Sequence, residues 1–165
     1  MRLSLRDWTR VVSLAFVVVL VASACTKSSS NSSDQSSSGP TKIFVQKFRY
    51  HGVPASISSG VHEFLFQNQE SFPITHEMIP IALPEGKTAQ DVIDGAKTNG
   101  PDDEDNWLHI GGDFGAVDTG AGIIEWLNLP PGTYAFACWQ TGTQSGGDNG
   151  PPHASIGMVA QFTVT

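Results

Sequence analysis

Short apolar or alternating segments recur along residues 41–165, and turn residues separate them. The segments are rich in β-branched and aromatic residues and are bounded by Gly, Pro, Asn or Ser, which is typical of β-strands. They span residues 43–48, 61–66, 74–83, 123–129, 133–138 and 158–164. Pro130-Pro131-Gly132 predicts a tight connection between two of them, because proline fixes φ and glycine accepts positive φ. The pattern therefore predicts an all-β sandwich.

One segment, residues 88–97, has a helical pattern instead. Thr88 suits the N-cap, and Asp91 occupies the third helical position of a capping box. We expect this helix to be a short excursion in a connection between strands. Residues 41–165 number 125, which is enough for one domain that buries roughly two thirds of its unfolded surface.

The N-terminus has the pattern of an export signal. Three arginines precede an apolar run at residues 11–21, and small residues at 22–24 lead to Cys25. A charged region, an apolar core and a small-residue cleavage site are typical of a secretory signal. The core is shorter than the about 20 apolar residues of a membrane span. The cleavage site resembles a bacterial lipobox, whose cysteine receives diacylglycerol and becomes the new N-terminus; an ordinary signal peptide is the alternative.

The lipobox resemblance implies a lipoprotein signal peptide at residues 1–24 and a lipid on Cys25. The protein is then expected on the extracytoplasmic face of a bacterial cell membrane, held there by its lipid anchor. Residues 25–40 are dominated by serine and have almost nothing apolar to bury, so we expect a flexible linker. The folded domain is expected at residues 41–165.

The charge of the domain excludes one class of partner. Residues 41–165 contain 5 basic and 14 acidic side chains, a net charge of −9 with histidine neutral. Binding of nucleic acid depends on Lys and Arg that neutralise phosphates, so no nucleic-acid partner is expected. The same charge favours a basic protein partner. We expect a monomer.

The cysteines raise the question of a metal. If lipid occupies Cys25, then Cys138 has no disulfide partner, and an unpaired thiol in an exported protein calls for an explanation. Tyr134, Phe136 and Cys138 share one face of their strand, and the aromatic side must face the core. Cys138 therefore points inward, and by the same alternation His76 enters the core from a neighbouring strand.

The order of these residues resembles the cupredoxin family, which includes plastocyanin and azurin. The family has an upstream His, then a Gly-x-Tyr-x-Phe-x-Cys strand, a loop, a second His and a Met. Residues 132–138 match the strand, and Pro152-His153 with Gly157-Met158 match the ending, although the fourteen-residue loop at 139–152 is longer than in smaller members. The resemblance implies a cupredoxin-like Greek-key β-sandwich. It also implies a type 1 copper ion on His76, Cys138 and His153, with Met158 as the axial ligand.

Each of these residues also has a purely structural interpretation. Cys138 would be a small hydrophobe, Met158 a core filler and His76 a core histidine bonded to a carbonyl. Three functions stay open: a lipid-anchored carrier that passes single electrons to a redox protein, a copper storage or delivery protein, and a metal-free surface binding module.

No enzyme is predicted. The chain has five histidines and no His-x-His pair, so it lacks the histidine cluster of an oxygen-reducing copper oxidase. Gly-x-Ser-x-Gly and His-Glu-x-x-His motifs are also absent from the sequence.

The position of His153 predicts where electrons would leave. It follows Pro151-Pro152 in a loop close to Ile156. We therefore expect the His153 ring edge, alone among the four ligands, to reach a small apolar surface. Such a surface is typical of partner docking.

Overall fold

A computed structural model describes residues 39–111, 115–142 and 150–165. The predicted signal peptide at 1–24, the linker up to residue 38 and the centre of the loop at 139–152 lie outside the described residues. The strands are β1 (Thr41–Val45), β2 (Tyr50–His51), β3 (Ser56–Ile57), β4 (Gly60–Asn68), β5 (Ile79–Ala82), β6 (Leu108–His109), β7 (Gly122–Leu129), β8 (Gly132–Ala137) and β9 (Val159–Val164).

The strands form two mixed sheets. The first has the order β2-β1-β4-β7 and the second has the order β3-β9-β8-β5-β6. Strands β1 and β4 pair in parallel, and the Pro130-Pro131 connection carries the chain from β7 in the first sheet to β8 in the second. Between the sheets the Phe64 and Phe136 ring centroids are 5.5 Å apart, edge to face. The predicted all-β sandwich is confirmed.

Strand β8 is buried on both faces, which explains its alternation of aromatic and alanine residues. Tyr134 and Phe136 lie in the core between the sheets with Cys138. Ala135 and Ala137 lie on the other face, in a second apolar cluster with residues of the helix α1 (Ala89–Asn99). Their small side chains let the helix approach the sheet closely, so the strand that leads to Cys138 is enclosed from both sides.

Helix α1 begins as the sequence predicts. The hydroxyl of Thr88 accepts the N–H of Gln90 at 3.2 Å, and the Asp91 carboxylate accepts the N–H of Thr88 at 2.9 Å. The helix ends two residues later than expected, before Gly100 at φ 71°. Two 3₁₀ helices follow, Gly100–Asn106 and His153–Ile156. Across the described ranges, no helix has the length and hydropathy needed to cross a membrane.

Two of the predicted strands are shorter than expected. Within the segment at 74–83, only the residues of β5 pair with neighbouring strands. At its start, side-chain hydrogen bonds take the place of strand pairing. The Asn68 amide donates to the carbonyls of Ile74 at 2.7 Å and Val117 at 2.9 Å. His76 instead forms an isolated bridge with Val117. The segment at 43–48 ends at Val45, because a tight turn follows it.

That turn has an unusual backbone. Lys47 and Phe48 lie at φ 54° and 56°, and Gln46 and Arg49 exchange backbone hydrogen bonds of 3.1 and 3.2 Å on either side of them. Positive φ at both central residues is the geometry of a type I′ hairpin turn, for which Asn-Gly is the favoured sequence. Two side chains with a Cβ therefore store backbone strain here.

We expect Lys47→Gly to raise the free energy of unfolding by about 0.5 kcal/mol. Glycine relieves a left-handed strain of roughly 1–2 kcal/mol, and its greater unfolded-state entropy cancels part of that gain. Urea unfolding of the metal-free protein measures the change. Lys87→Gly is the control, because Lys87 is exposed and lacks positive φ; it should lower stability. Equal losses of stability in the two variants would contradict the backbone strain at Lys47.

Candidate metal centre

His76, Cys138 and His153 come together at one end of the sandwich. One donor atom from each lies within 4.8 Å of the other two. The Sγ atom of Cys138 is 3.3 Å from Nδ1 of His153 and 3.9 Å from Nδ1 of His76, and the two Nδ1 atoms are 3.0 Å apart. All three residues are 0% exposed. Two imidazoles thus present the same ring nitrogen to one thiol in a buried pocket.

Backbone hydrogen bonds hold the three segments that carry these residues. Cys138 directly follows β8, and its carbonyl accepts the N–H of Ala154 at 2.6 Å. This bond positions the 3₁₀ helix that His153 begins. The segment with His76 is fixed by reciprocal backbone hydrogen bonds with Val117, of 3.1 and 2.6 Å. The donors therefore sit on cross-linked backbone.

Met158 lies beside this group. It is fully buried in the apolar cluster that contains Cys138, and its N–H donates to the carbonyl of His153 at 3.0 Å. Gly157, at φ 95°, reverses the chain between His153 and Met158. Met78 belongs to the same cluster, but Met158 is the thioether that a backbone bond ties to one of the histidines.

Burial sets the protonation of the three donors. It lowers the pKa of His76 to about 4, with the neighbouring His153 adding to the effect, and it lowers the pKa of His153. Both imidazoles are therefore neutral at neutral pH, which is the form that binds metals. Burial, followed by the charge of Glu77, raises the pKa of the Cys138 thiol. A metal that binds here releases the thiol proton.

Glu77 is a functional candidate that the sequence analysis missed. Its carboxylate accepts the backbone N–H groups of Trp139 at 2.6 Å and Gln140 at 3.1 Å, and the Gln140 side-chain amide at 2.9 Å. Its own N–H points at the Cys138 sulfur from 3.5 Å. Glu77 thereby joins the segment of His76 to the chain after Cys138. The signal in the sequence was a lone acid inside an apolar run.

Phe48 covers the two histidines. Its ring centroid lies 4.9 Å from that of His153 and 5.4 Å from that of His76, edge to face in both cases. Phe48 is partly exposed while His153 is fully buried. The expectation that the His153 ring edge reaches the surface is therefore wrong, because the strained turn places Phe48 over it. The expected apolar surface residue Ile156 is 36% exposed.

Comparison with solved structures identifies the fold. No protein-family model matches the chain, and no curated protein is significantly similar in sequence. Auracyanin from the photosynthetic bacterium Roseiflexus castenholzii is 21% identical with a TM-score of 0.51, over 75% of this chain and 94% of that one. An azurin from Methylomonas sp. strain J is 14% identical, with a TM-score of 0.44 over 76% and 97% of the two chains.

Auracyanin A from Chloroflexus aurantiacus, described as a "blue" copper protein, is 15% identical with a TM-score of 0.42, over 77% of this chain and all of that one. The likeness to the Roseiflexus protein shows that the chain has a cupredoxin-like fold. The predicted fold class is confirmed, including its one short helix in a connection.

The donor set fits copper. One thiolate, two neutral imidazoles and a nearby thioether are the ligands of blue copper sites, in which Met lies at long axial distance. Sulfur ligands also suit Cu(I), so the set is compatible with both oxidation states. All three donor residues are fully buried.

Proposed function

We propose that this protein is a type 1 copper protein that transfers single electrons. The observation that carries the proposal is the convergence of the His76 and His153 Nδ1 atoms on the Cys138 sulfur in a buried pocket. Met158 is the proposed axial ligand. Copper, when bound, supplies the one-electron couple. The protein is proposed as a carrier and not as an enzyme.

The residues of the chain prepare the site for that role. Backbone bonds around His76, Cys138 and His153 hold the donors on rigid elements, which limits rearrangement when the metal changes its charge. The Glu77 carboxylate secures the chain beyond Cys138 through three hydrogen bonds. Phe48 excludes water from the imidazoles. A dry site strengthens each electrostatic interaction within it.

We propose that a redox protein partner docks over Phe48 and Ile156. Arg49 joins the two residues, since its guanidinium donates to the carbonyls of Phe48 at 2.9 Å and Ile156 at 2.7 Å. The Phe48 ring contacts both histidines, so it offers a short path from the partner surface to the donors. The net charge of −9 over residues 41–165 favours a basic partner at long range.

We also propose that a lipid on Cys25 anchors the protein to the extracytoplasmic face of a bacterial membrane. The lipobox-like sequence supports this, and residues 26–40 would act as the tether. Two acyl chains give stable anchoring where one chain gives marginal binding. An exported location fits a chain whose second cysteine, Cys138, is a free and fully buried thiol.

Cys25→Ala is expected to release the protein from the membrane or to trap it as an unprocessed precursor, because the variant has no acceptor for the lipid. Cell fractionation with mass spectrometry of the N-terminus measures the effect. Cys138→Ser is the control and should remain with the membranes. An unmodified N-terminus in the wild type, with full membrane retention of Cys25→Ala, would rule out the anchor.

The electron-transfer proposal is tested by metal analysis and a visible spectrum of the purified protein after addition of Cu(II). An intense blue Cu(II)-thiolate band with one copper per chain is expected. Colourless binding of Cu(I) alone would instead favour storage or delivery of copper. No copper binding would leave a metal-free binding module as the function.

A further inference from the structure

Glu70 is a buried acid that approaches the metal centre from outside the donor group. Its side chain is 2% exposed, and its Oε1 lies 3.5 Å from Nε2 of His76, the ring nitrogen on the far side from the sulfur. The same oxygen accepts the N–H of Phe48 at 2.8 Å. The backbone N–H of Glu70 donates to the Asn68 side chain at 3.2 Å. Hydrogen bonds therefore hold both the backbone of Glu70 and one of its carboxylate oxygens.

The far nitrogen of His76 needs an acceptor. When Nδ1 of a neutral imidazole is a ligand, Nε2 carries the proton. Nε2 of His76 is buried, and within the described part of the chain it has no formed hydrogen bond. A buried N–H without an acceptor costs about 1–3 kcal/mol. The separation of 3.5 Å between Nε2 of His76 and Oε1 of Glu70 is longer than a formed hydrogen bond. Glu70 nevertheless supplies the carboxylate oxygen that faces this nitrogen.

We propose that Glu70 is a positioning residue of the metal centre. Its carboxylate receives the Nε2–H of His76, which fixes the tautomer that leaves Nδ1 free as a ligand. This inference rests on the proposed function. Carboxylates commonly hold metal-bound histidines in this way and increase their basicity as ligands. A negative charge in a dry site also stabilises Cu(II) relative to Cu(I), so Glu70 lowers the reduction potential of the bound copper.

Glu70 also links His76 to Phe48, the residue that packs over it. One oxygen serves both His76 and the backbone of Phe48, and Phe48 lies in the strained turn that shields the two imidazoles. The hydrogen bond to Glu70 therefore helps to hold a backbone conformation that Phe48 rarely adopts. Loss of the carboxylate is expected to loosen the turn and the histidine together.

Glu70→Gln tests the effect on the metal. The amide keeps the size of the side chain and an acceptor for Phe48, but it removes the charge. We expect the blue band to persist and the reduction potential to rise by about 59 mV. This shift corresponds to a tenfold change in the equilibrium constant of a one-electron couple. Glu85→Gln removes an exposed charge beyond the far end of β5, and it should leave the potential nearly unchanged. Equal potentials in both variants would overturn the inference.

A second measurement needs no copper. In the metal-free protein, Nδ1 of His153 competes with Glu70 for the His76 proton, because Nε2 of His153 bonds the Gly142 carbonyl at 2.6 Å and its Nδ1 lies 3.0 Å from Nδ1 of His76. ¹⁵N NMR of the imidazoles is therefore expected to show a larger Nε2–H fraction at His76 in the wild type than in Glu70→Ala, and equal fractions in the two proteins would overturn the inference. A wild type that binds no copper would overturn the proposed function, and the tautomer would still decide the role of Glu70.

Discussion

Cys138→Ser is expected to abolish the blue absorption band entirely. The band arises from charge transfer between a thiolate and Cu(II), and a serine hydroxyl in the same buried position supplies no thiolate. Copper would then have only His76, His153 and the weak axial Met158 as ligands, and we expect its affinity to fall well over tenfold. The visible spectrum and a competition titration with a copper chelator measure the two effects. A variant with the wild-type spectrum would show that Cys138 is not a ligand.

Met158→Leu is the matched control for this experiment. Leucine conserves the volume of a buried methionine, so the core is expected to tolerate it. Because an axial thioether tunes the potential more than it holds the metal, the variant should keep an intense blue band at a shifted potential. The contrast between the two variants separates loss of an equatorial ligand from a change in packing.

The sequence predicts the strands and the helix because their signals are local. Alternation along β8 places Tyr134, Phe136 and Cys138 on one face, and the capping box at Thr88 marks the start of α1 by contacts within one turn of chain. The histidines and the cysteine were also predictable, since their order along the chain matches a known pattern. The structure adds the distances between their donor atoms.

The surroundings of the site depend on contacts between distant parts of the chain, which no local pattern reveals. Phe48, from the turn between β1 and β2, lies over the buried His153. The turn itself was hidden inside an apolar segment that resembled a continuous strand. Glu70 has the same residue type as the many surface acids, and only its burial in the fold distinguishes it. For Glu77, the one local signal was its place as a lone acid inside an apolar run.

Glu125 is expected to make the protein less stable as the pH rises. It lies on β7 opposite Phe64, faces the core, and is 4% exposed. Neither carboxylate oxygen has a hydrogen-bond partner within the described ranges. Burial raises the pKa of Glu125 from 4.5 to about 8. The folded protein therefore keeps a proton that the unfolded chain releases between these two pH values.

The direction of the effect follows from that difference in bound protons. Where the folded state binds more protons than the unfolded state, the free energy of unfolding falls as the pH increases. The stability associated with protonated Glu125 is fully present below about pH 4.5 and is lost by about pH 8. Each pKa unit corresponds to about 1.4 kcal/mol, and we expect a loss on the order of 3 kcal/mol once partial access of water is allowed for.

Glu125→Gln should remove this loss, because the amide resembles the protonated carboxyl and does not ionise. We expect the variant to match the wild type near pH 4 and to exceed its free energy of unfolding by on the order of 3 kcal/mol at pH 9. Urea unfolding of the metal-free proteins at both pH values measures the difference. His76 and His153 titrate in both proteins, so their contributions cancel in the comparison. Glu63→Gln is the control, because Glu63 lies on the outer face of β4 opposite Trp126; its stability should depend on pH as in the wild type. If the stability of Glu125→Gln had the same pH dependence as the wild type, Glu125 would be ionised in the fold at neutral pH.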